Sequence, residues 1–446
     1  MRIGIDVGMT NTDAVLISGA TVVEAVKTTT TPDVTSGIAA AIGELRRRPS
    51  FDPGAVAGVA VATPCFSLAL AEARRLARTA VIRLCLPATA AAPPLIGWPG
   101  RLVRAIGGHS YLCRGGHEFD GRVISVPDPD ELRRVAADLA AKRIRSVAIS
   151  SVFSPGHAEF EVLAADILTS EMEGLHVSLS HEIGRTGLLE RENATVVNAC
   201  LRDIAERFCL DLSTALRQNG LDAALYLSRN DGTVMDVDSA RSYPAAALYP
   251  RAANSLNGAA CLSGLDTCTV VDAGGTTTAV GTLHRGVPRE AGGGAVVAGV
   301  RTDLRVPDVR TMEDLDSVID RIRTRSAPDP VVLVGGGSPL IGDRLGVAAR
   351  VHRPEHFAVA GAVGAAIAHV GGEVDRVFAV EPGDREAVRS AASQEAIDRT
   401  VAAGADPGTV RVVEVEEFPI AGLPGNAVRV RVRAVGDLDG GTGCGC

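Results

Sequence analysis

The sequence predicts an α/β protein built from two related halves. Three observations carry this. The chain has 446 residues, too many for one hydrophobic core, so two or more domains are expected. Apolar strand-like runs alternate with helix-like segments along most of the length, the pattern of helices packed on sheet. One short loop also occurs twice: in IGIDVGMTNTDAVL (3–16) and VVDAGGTTTAVG (270–281), Asp6 falls on Asp272, Gly8 on Gly274, Thr10 on Thr276 and Thr12 on Thr278.

The first copy lies among short strands at 3–7, 14–18 and 21–27. A helix is expected at 36–48 with Ser36 as its cap, then a strand at 56–62, a helix at 68–78 and a strand at 81–86. Residues 87–127, with two Pro-rich pairs and paired glycines, read as irregular. Asp128-Pro129-Asp130-Glu131 is an N-cap, a proline at the first helical position and an acid placed to close a capping box. That helix runs to about Lys142, followed by a strand at 146–153 and a helix at 158–172.

A long helix is expected over 190–218, because Val197, Cys200, Leu201, Ile204, Phe208 and Leu212 form one stripe. A strand at 223–228 leads to the turn Asn230-Asp231-Gly232, and 254–263 reads as helix. Beyond the second loop come a helix at 312–325, a strand ending in the glycines of VVLVGGGSPL (331–340), and helices near 339–349 and 356–370. Residues 375–435 read as strand, helix (384–403) and two more strands. The expected division is 1–180, 181–435 and a patternless tail at 436–446. Cys444 and Cys446 in that tail lack the further ligands a soft metal needs.

Composition narrows the function. Hydrophobic residues make up 46% and charged residues 22%, and the net charge is −8 with no basic block, so nucleic acid is not an expected partner. No apolar run approaches the roughly 20 residues of a membrane span. Met1-Arg2 leads straight into a strand rather than a signal peptide. Nine scattered cysteines read as reduced thiols, and the expected location is cytoplasmic.

The repeated loop has a physical logic. Glycine lets the backbone turn tightly and bring N–H groups against a phosphate, threonine adds a hydroxyl donor, and an aspartate at the strand end can orient hydrated Mg²⁺. A single glycine-rich turn is equally a plain hairpin. Two matched copies point instead to two halves closing on one polyphosphate. The glycine turn at 335–338 is a third place for backbone to approach a nucleotide.

In that order, the two loops and the late glycine strand resemble the actin-like ATPase superfamily. In detail the chain is similar to the hydantoinase A/5-oxoprolinase family. The segments that carry the likeness include TTTTPDVTSGI (28–38), GGHEFDGR (115–122), SLSHEIGRTGLLERENATVVNACL (178–201), LYLSRNDGTVM (225–235) and FPIAGLPGNAVRVRVRAVGDL (418–438). The resemblance implies two ribonuclease H-like halves, a nucleotide cleft between them and inserted α/β segments. It also implies ATP-dependent opening of a cyclic amide. Phosphorylating the amide oxygen makes a leaving group, so that water can attack the carbon.

Carried over residue by residue, the resemblance places Asp6, Gly8, Thr10, Asn11 and Thr12, with Asp272, Gly274, Gly275, Thr276 and Thr277, on phosphate and metal. Asp6 and Asp272 would be the Mg²⁺ ligands, and Asp13 the acid nearest the reacting phosphate. Gly335, Gly336, Gly337 and Ser338 would lie along the adenosine side. His181, Glu182, Glu190, Arg191, Asn193, Asn230 and Asp231 would meet the substrate. For Glu190, Arg191 and Glu192 the competing reading is a solvated first helical turn.

Four departures from the family pattern bear on activity. Met9 stands where relatives carry glycine, and Ala279 where they carry aspartate. Pro64 and Cys65 replace a histidine-containing stretch, so Cys65 is either a nucleophile or a small hydrophobe. A segment after Val309 is missing. Three readings follow: a cyclic-amide hydrolase, a weakened nucleotide-binding member acting through a partner subunit or as an oligomer, and a kinase that stops at the phosphorylated product. His109, Cys113 and His117 have ligand-like spacing but sit in the glycine-rich stretch expected to be irregular.

Overall fold

The computed structural model describes residues 1–311, 315–322, 328–342, 345–346, 348–378, 384–420 and 427–438. Its frame is a nine-stranded sheet. In spatial order the strands are Arg411–Pro419, Val428–Gly436, Val370–Phe378, Val234–Asp236, Ala224–Ser228, Gly58–Ala62, Arg2–Val7, Asn11–Ser18 and Thr21–Thr29. The last three in that order form an antiparallel meander, while Gly58–Ala62 and Ala224–Ser228 run parallel to Arg2–Val7.

The second sheet repeats this plan. Cys268–Ala273, Thr278–His284 and Val287–Pro288 form the meander, and Val331–Val334 and Val351–His352 add in parallel on the other side of Cys268–Ala273. The two halves therefore share one strand order and one set of strand senses. The register agrees as well: Asp6 pairs with Asp13 across its hairpin, and Asp272 with Ala279 across the other.

Between Gly58–Ala62 and Ala224–Ser228 the chain inserts a four-stranded, all-parallel sheet in the order His109–Arg114, Thr79–Leu86, Ser146–Ser151, His176–Leu179. The helices Pro129–Ala141 and Glu159–Glu171 share its core through Leu132, Val135, Leu139, Ala164 and Leu168. The 31-residue helix Leu188–Gln218 packs Val196, Ala199, Cys200 and Phe208 into the main core, which also takes in Val81 and Ala148 from the inserted sheet. It thus ties the insertion to the first half.

Strand pairing crosses the expected boundary at 180/181. Ala224–Ser228 belongs to the first sheet, and so do the three strands after residue 370. These three pair antiparallel, Val370–Phe378 with Val428–Gly436 and that strand with Arg411–Pro419, and helix Arg385–Ala402 buries Ala392 and Ala396 against them.

Two helices join the halves. Pro250–Ser263 packs Leu256 and Ala259 against the second sheet, and Ala360–Ile367 packs Ala362, Val363 and Ala366 against the first. Their backbones touch where they cross. A methyl group on Gly258 would come within 1.9 Å of the Ala360 carbonyl oxygen, and one on Gly364 within 1.9 Å of that of Asn254. Only glycine permits this approach.

Several local expectations are revised. Asp33, not Ser36, caps the first helix, accepting the Ser36 N–H at 3.2 Å. Asp128 caps its helix, but Glu131 does not reach back to close a box; its carboxylate takes the Arg114 N–H at 3.0 Å and ties helix to sheet. Within 87–127 there is a helix at Gly100–Ile106, ended by Gly107 in the left-handed region, and the strand His109–Arg114. The helix expected at 339–349 is one short 3₁₀ turn, Ser338–Leu340, among the described residues. The helix expected at 312–325 is described at Leu315–Ile322. Cys444 and Cys446 lie outside the described residues. No helix among those described is long and apolar enough to cross a membrane.

Candidate functional site

Each repeated loop is a tight turn at the end of a central strand. Gly8 N–H donates to the Asn11 carbonyl at 2.8 Å, and Gly274 N–H to the Thr277 carbonyl at 2.9 Å. Identical closure leaves the N–H groups of Met9, Thr10, Gly275 and Thr276 at the turn tips without a backbone acceptor among the described residues. Those are the groups that could meet an anion. The tips face each other, since a methyl group on Gly275 would stand 2.9 Å from Thr10 Oγ1. Met9 is 58% exposed at its tip, so its side chain lies in solvent rather than in the turn.

Not every loop residue faces the cleft. Thr12 is fully buried and shares a hydrogen bond of 3.1 Å with Thr30; strand alternation sends Asp13 to one side and Thr12 to the other. Asn11 donates to Thr10 Oγ1 at 3.1 Å, fixing that hydroxyl. The late glycine turn lies against the second loop: Gly337 N–H donates to the Ala273 carbonyl at 2.8 Å. Gly335 adopts φ +85°, and a side chain there would strike Asp272 Oδ1 at 2.4 Å. Gly336 has open space beside it, whereas Ser338 is fully buried.

The three acids already have partners within the chain. Arg251, at the start of helix Pro250–Ser263, donates Nε–H to Asp6 at 3.0 and 3.3 Å to its two oxygens. Ser255, one turn on, donates to Asp272 Oδ2 at 2.6 Å. Asp13 pairs with Lys27 across the hairpin. Burial nevertheless pushes the Asp13 carboxyl up to about 6, with Lys27 opposing and the Asp6 charge adding. Burial also raises Asp272, against the Ser255 hydrogen bond and the Arg251 charge. Arg251, Ser255 and Lys27 had no signal in the repeated loop, because two of them come from a distant helix.

A divalent ion on Asp6 and Asp272 does not fit this arrangement. Mg²⁺ needs carboxylate oxygens free to enter an octahedral shell, and both oxygens of Asp6 are turned to the Arg251 guanidinium. No cluster of three or more His, Cys, Asp or Glu side chains suited to a metal occurs among the described residues. That includes His109, Cys113 and His117. His109 faces Arg78 at 3.3 Å, Cys113 is in the insertion core, and His117 stacks on Phe160 with ring centroids 4.2 Å apart.

A separate cavity of about 590 Å³, with no residue of the two loops in its lining, is bordered by His181, Glu182, Asn230 and Asp231, together with Arg185, Arg229, Tyr243 and Asp303. One part of its lining, Arg229 to Asp231, extends from the edge of the first sheet that carries Asp6. Asp6 pairs with Ala62 and Val61 with Leu227, so Ser228 ends its strand level with Asp6, two strands and roughly 10 Å away. Arg229, Asn230 and Asp231 follow at once. Ligands of open α/β sheets collect at such carboxyl ends.

His181 is held there by a buried acid. Glu161 is fully buried and accepts from His181 Nδ1 at 2.7 Å, from His181 N–H at 3.1 Å, from Ser180 Oγ at 2.5 Å and from Ser151 N–H at 2.8 Å. Burial alone would raise this carboxyl, but the His181 hydrogen bond and charge, with the Arg191 charge, hold it below the ordinary value. A carboxylate only accepts, so Nδ1 carries a proton and donates it to Glu161. Tyr243 donates to Glu182 at 3.1 Å, and burial, with the Glu182 charge, pushes its hydroxyl up to about 12.

The remaining expected substrate residues are structural or lie elsewhere. Arg191 is fully buried and spends its donors on Ser180 Oγ (2.9 Å), the Arg185 and Thr186 carbonyls (2.9 Å each) and the Ser151 carbonyl (2.7 Å). It clamps the segment that carries His181. Asn193 bridges Trp98 Nε1 at 2.7 Å and the Arg301 carbonyl at 2.9 Å. Glu190 lies in the first turn of the long helix and does not line the cavity. Glu192 is no solvated acid: it is buried against Arg83, with both contacts at 2.6 Å. Asn230 holds the turn through the Ala245 carbonyl and the Tyr249 N–H. Asp231 takes the Thr233 N–H and hydroxyl; burial alone would raise its carboxyl, yet Arg229 and Arg433 keep it well below the usual carboxylate range.

Two halves of one strand order, closing on paired Asp-Gly-Thr loops, define the actin-like ATPase class. Within it the chain belongs to the hydantoinase/oxoprolinase family. It matches the hydantoinase/oxoprolinase N-terminal region over residues 2–172 and the hydantoinase/oxoprolinase domain over residues 191–313, together about two thirds of the chain. The fold is similar to that of an ATP-dependent caprolactamase from Pseudomonas jessenii, with 14% identity, a TM-score of 0.74, and 98% of this chain and 87% of that one covered. It is also similar to a nucleotide-free acetone carboxylase, with 13% identity, a TM-score of 0.70, and 98% and 88% covered. No curated protein matches the sequence.

Proposed function

We propose that the chain hydrolyses a cyclic amide, such as a hydantoin, an oxoproline or a related lactam, at the expense of ATP. One observation carries this reading: two Asp-Gly-Thr loops of matched closure meet at the sheet edge from which Arg229, Asn230 and Asp231 extend into the lining of a cavity that holds an oriented histidine. The solved relatives named above, an ATP-dependent caprolactamase and an acetone carboxylase, add support for ATP as the second substrate.

In this reading the polyphosphate lies against the loop tips, within reach of the N–H groups of Met9, Thr10, Gly275 and Thr276. The amide oxygen attacks the terminal phosphorus and ADP leaves. His181 Nε2 takes a proton from water as its oxygen bonds to the activated carbon. The C–N bond then breaks, with the nitrogen taking a proton, and leaves an acyl phosphate. A second water converts that to carboxylate and phosphate. Two waters and one ATP are consumed for each ring opened. Glu161 and Arg191 position His181 and touch no substrate.

The test is phosphate release with and without a panel of hydantoins, oxoproline and lactams, with amino-acid product measured alongside. Substrate-stimulated release that Asp6→Ala abolishes is the expected result; a rate unchanged in Asp6→Ala removes Asp6 from the site. A second reading, a member that binds nucleotide but turns over weakly and acts through a partner, is favoured by the pairing of Asp6 with Arg251. Nucleotide-dependent thermal stabilisation without turnover on any substrate supports it.

A further inference from the structure

We propose that Arg251 is the resident cation of the cleft, and that polyphosphate binds on its guanidinium without a divalent metal. This rests on the nucleotide reading of the cleft and specifies what that cleft requires.

The geometry is particular. Arg251 uses only Nε to hold Asp6, at 3.0 and 3.3 Å. Its two terminal nitrogens meet no protein acceptor among the described residues, and its side chain is 41% exposed while that of Asp6 is 7% exposed. One of those nitrogens borders the first loop, since a methyl group on Gly8 would stand 3.3 Å from Nη2. The guanidinium therefore presents its outer edge beside the turn tips, a donor geometry that matches phosphate oxygens in pairs.

The charges point the same way. Asp6 foremost, then Asp272 and Asp13, draw on this one side chain and raise its proton affinity against the cost of burial. Three carboxylates around a polyphosphate need a cation to offset repulsion. Here the chain supplies Arg251, with Lys27 on Asp13. A metal would have to displace the guanidinium from Asp6 before it could coordinate. Ser255, from the same helix, donates to Asp272 at 2.6 Å, so one helix supplies a partner to the strand-end acid of each loop.

The experiment is calorimetric titration of ATP and of inorganic tripolyphosphate, in excess EDTA and in excess Mg²⁺, on the full chain and on Arg251→Ala and Arg251→Lys. Thermal midpoints with Mg²⁺ alone are measured in parallel. The expected wild-type dissociation constants differ less than about threefold between EDTA and Mg²⁺. Arg251→Ala loses at least tenfold in EDTA and recovers with Mg²⁺, and Mg²⁺ alone raises its midpoint but not that of the wild type. Arg251→Lys keeps the charge without the fork and falls between. Wild-type binding that requires Mg²⁺ by tenfold or more, or EDTA affinity unchanged in Arg251→Ala, overturns the proposal and leaves the nucleotide reading standing. Absence of binding by every form under both conditions overturns both.

Discussion

Glu161 Oε2 lies 2.7 Å from His181 Nδ1, and the carboxylate is sealed from solvent by the strand and helix that flank it. The pair spans two elements of the insertion, helix Glu159–Glu171 and the segment after strand His176–Leu179. It fixes the ring of a largely buried histidine that lines the cavity.

The first prediction is a change in acid stability. The Glu161 carboxyl is held below its ordinary value of 4.5. A depressed folded value means stability that is present above the unfolded value and lost as pH falls through the folded one. Glu161→Gln should therefore cost about 1.5–3 kcal/mol at neutral pH, the range for hydrogen bonds to a charged group. The deficit should shrink below about pH 4.5. Urea denaturation of wild type and variant at pH 7.5 and pH 4 measures this; a deficit of the same size at both removes the carboxylate charge from the explanation.

The buried pair Arg83–Glu192 makes a second. Their side chains are 0% and 2% exposed, and Ser150 adds a hydrogen bond to the same carboxylate at 2.8 Å. Removing one partner strands the other charge, so Glu192→Ala should cost about 3–5 kcal/mol. Replacing both, as Arg83→Met with Glu192→Leu, should recover most of that loss. Denaturant midpoints of the three variants decide it.

The third concerns the crossing helices. At an ordinary helix position Gly→Ala stabilises by up to about 1 kcal/mol. At Gly258 and Gly364 the added methyl would strike backbone at 1.9 Å, so the sign should reverse. A loss of about 1–3 kcal/mol or more is expected. A raised thermal midpoint in either variant would show that the helices can separate freely.

The fourth is chemical. Burial pushes the Cys65 thiol up to about 11, with the Arg75 charge opposing. At pH 7.5 its thiolate fraction should be roughly two orders of magnitude below that of a free cysteine. Iodoacetamide labelling of the native chain should leave Cys65 intact long after a free thiol has reacted, and Cys65→Ser should not alter any activity. Rapid labelling at Cys65 would revive it as a nucleophile.

Much of the frame was legible in the sequence because it is local. The repeated Asp-Gly-Thr turn predicted two halves, and both turns carry the same closing hydrogen bond. What sequence could not supply was distance. Arg251 reaches Asp6 across 245 positions, and nothing near residue 251 marks it. Arg191 and Asn193 looked like ligands because polar residues at a helix start usually face solvent or substrate. Burial turned them inward, where unpaired donors are costly. Thr12, carried over with the rest of its loop, is fully buried because strand alternation turns it away from the neighbouring Asp13.

The first sheet begins at residue 2 and is completed only by the strand that ends at Gly436. A ribosome making this protein therefore releases an N-terminal meander long before its neighbours exist, and Gly58–Ala62 waits for Ala224–Ser228 to cover its open edge. The insertion and the 250–367 half are each contiguous and can form on the way. Truncation from the C-terminus should accordingly uncover the Val234–Asp236 edge of this sheet, leaving an exposed strand edge prone to self-association.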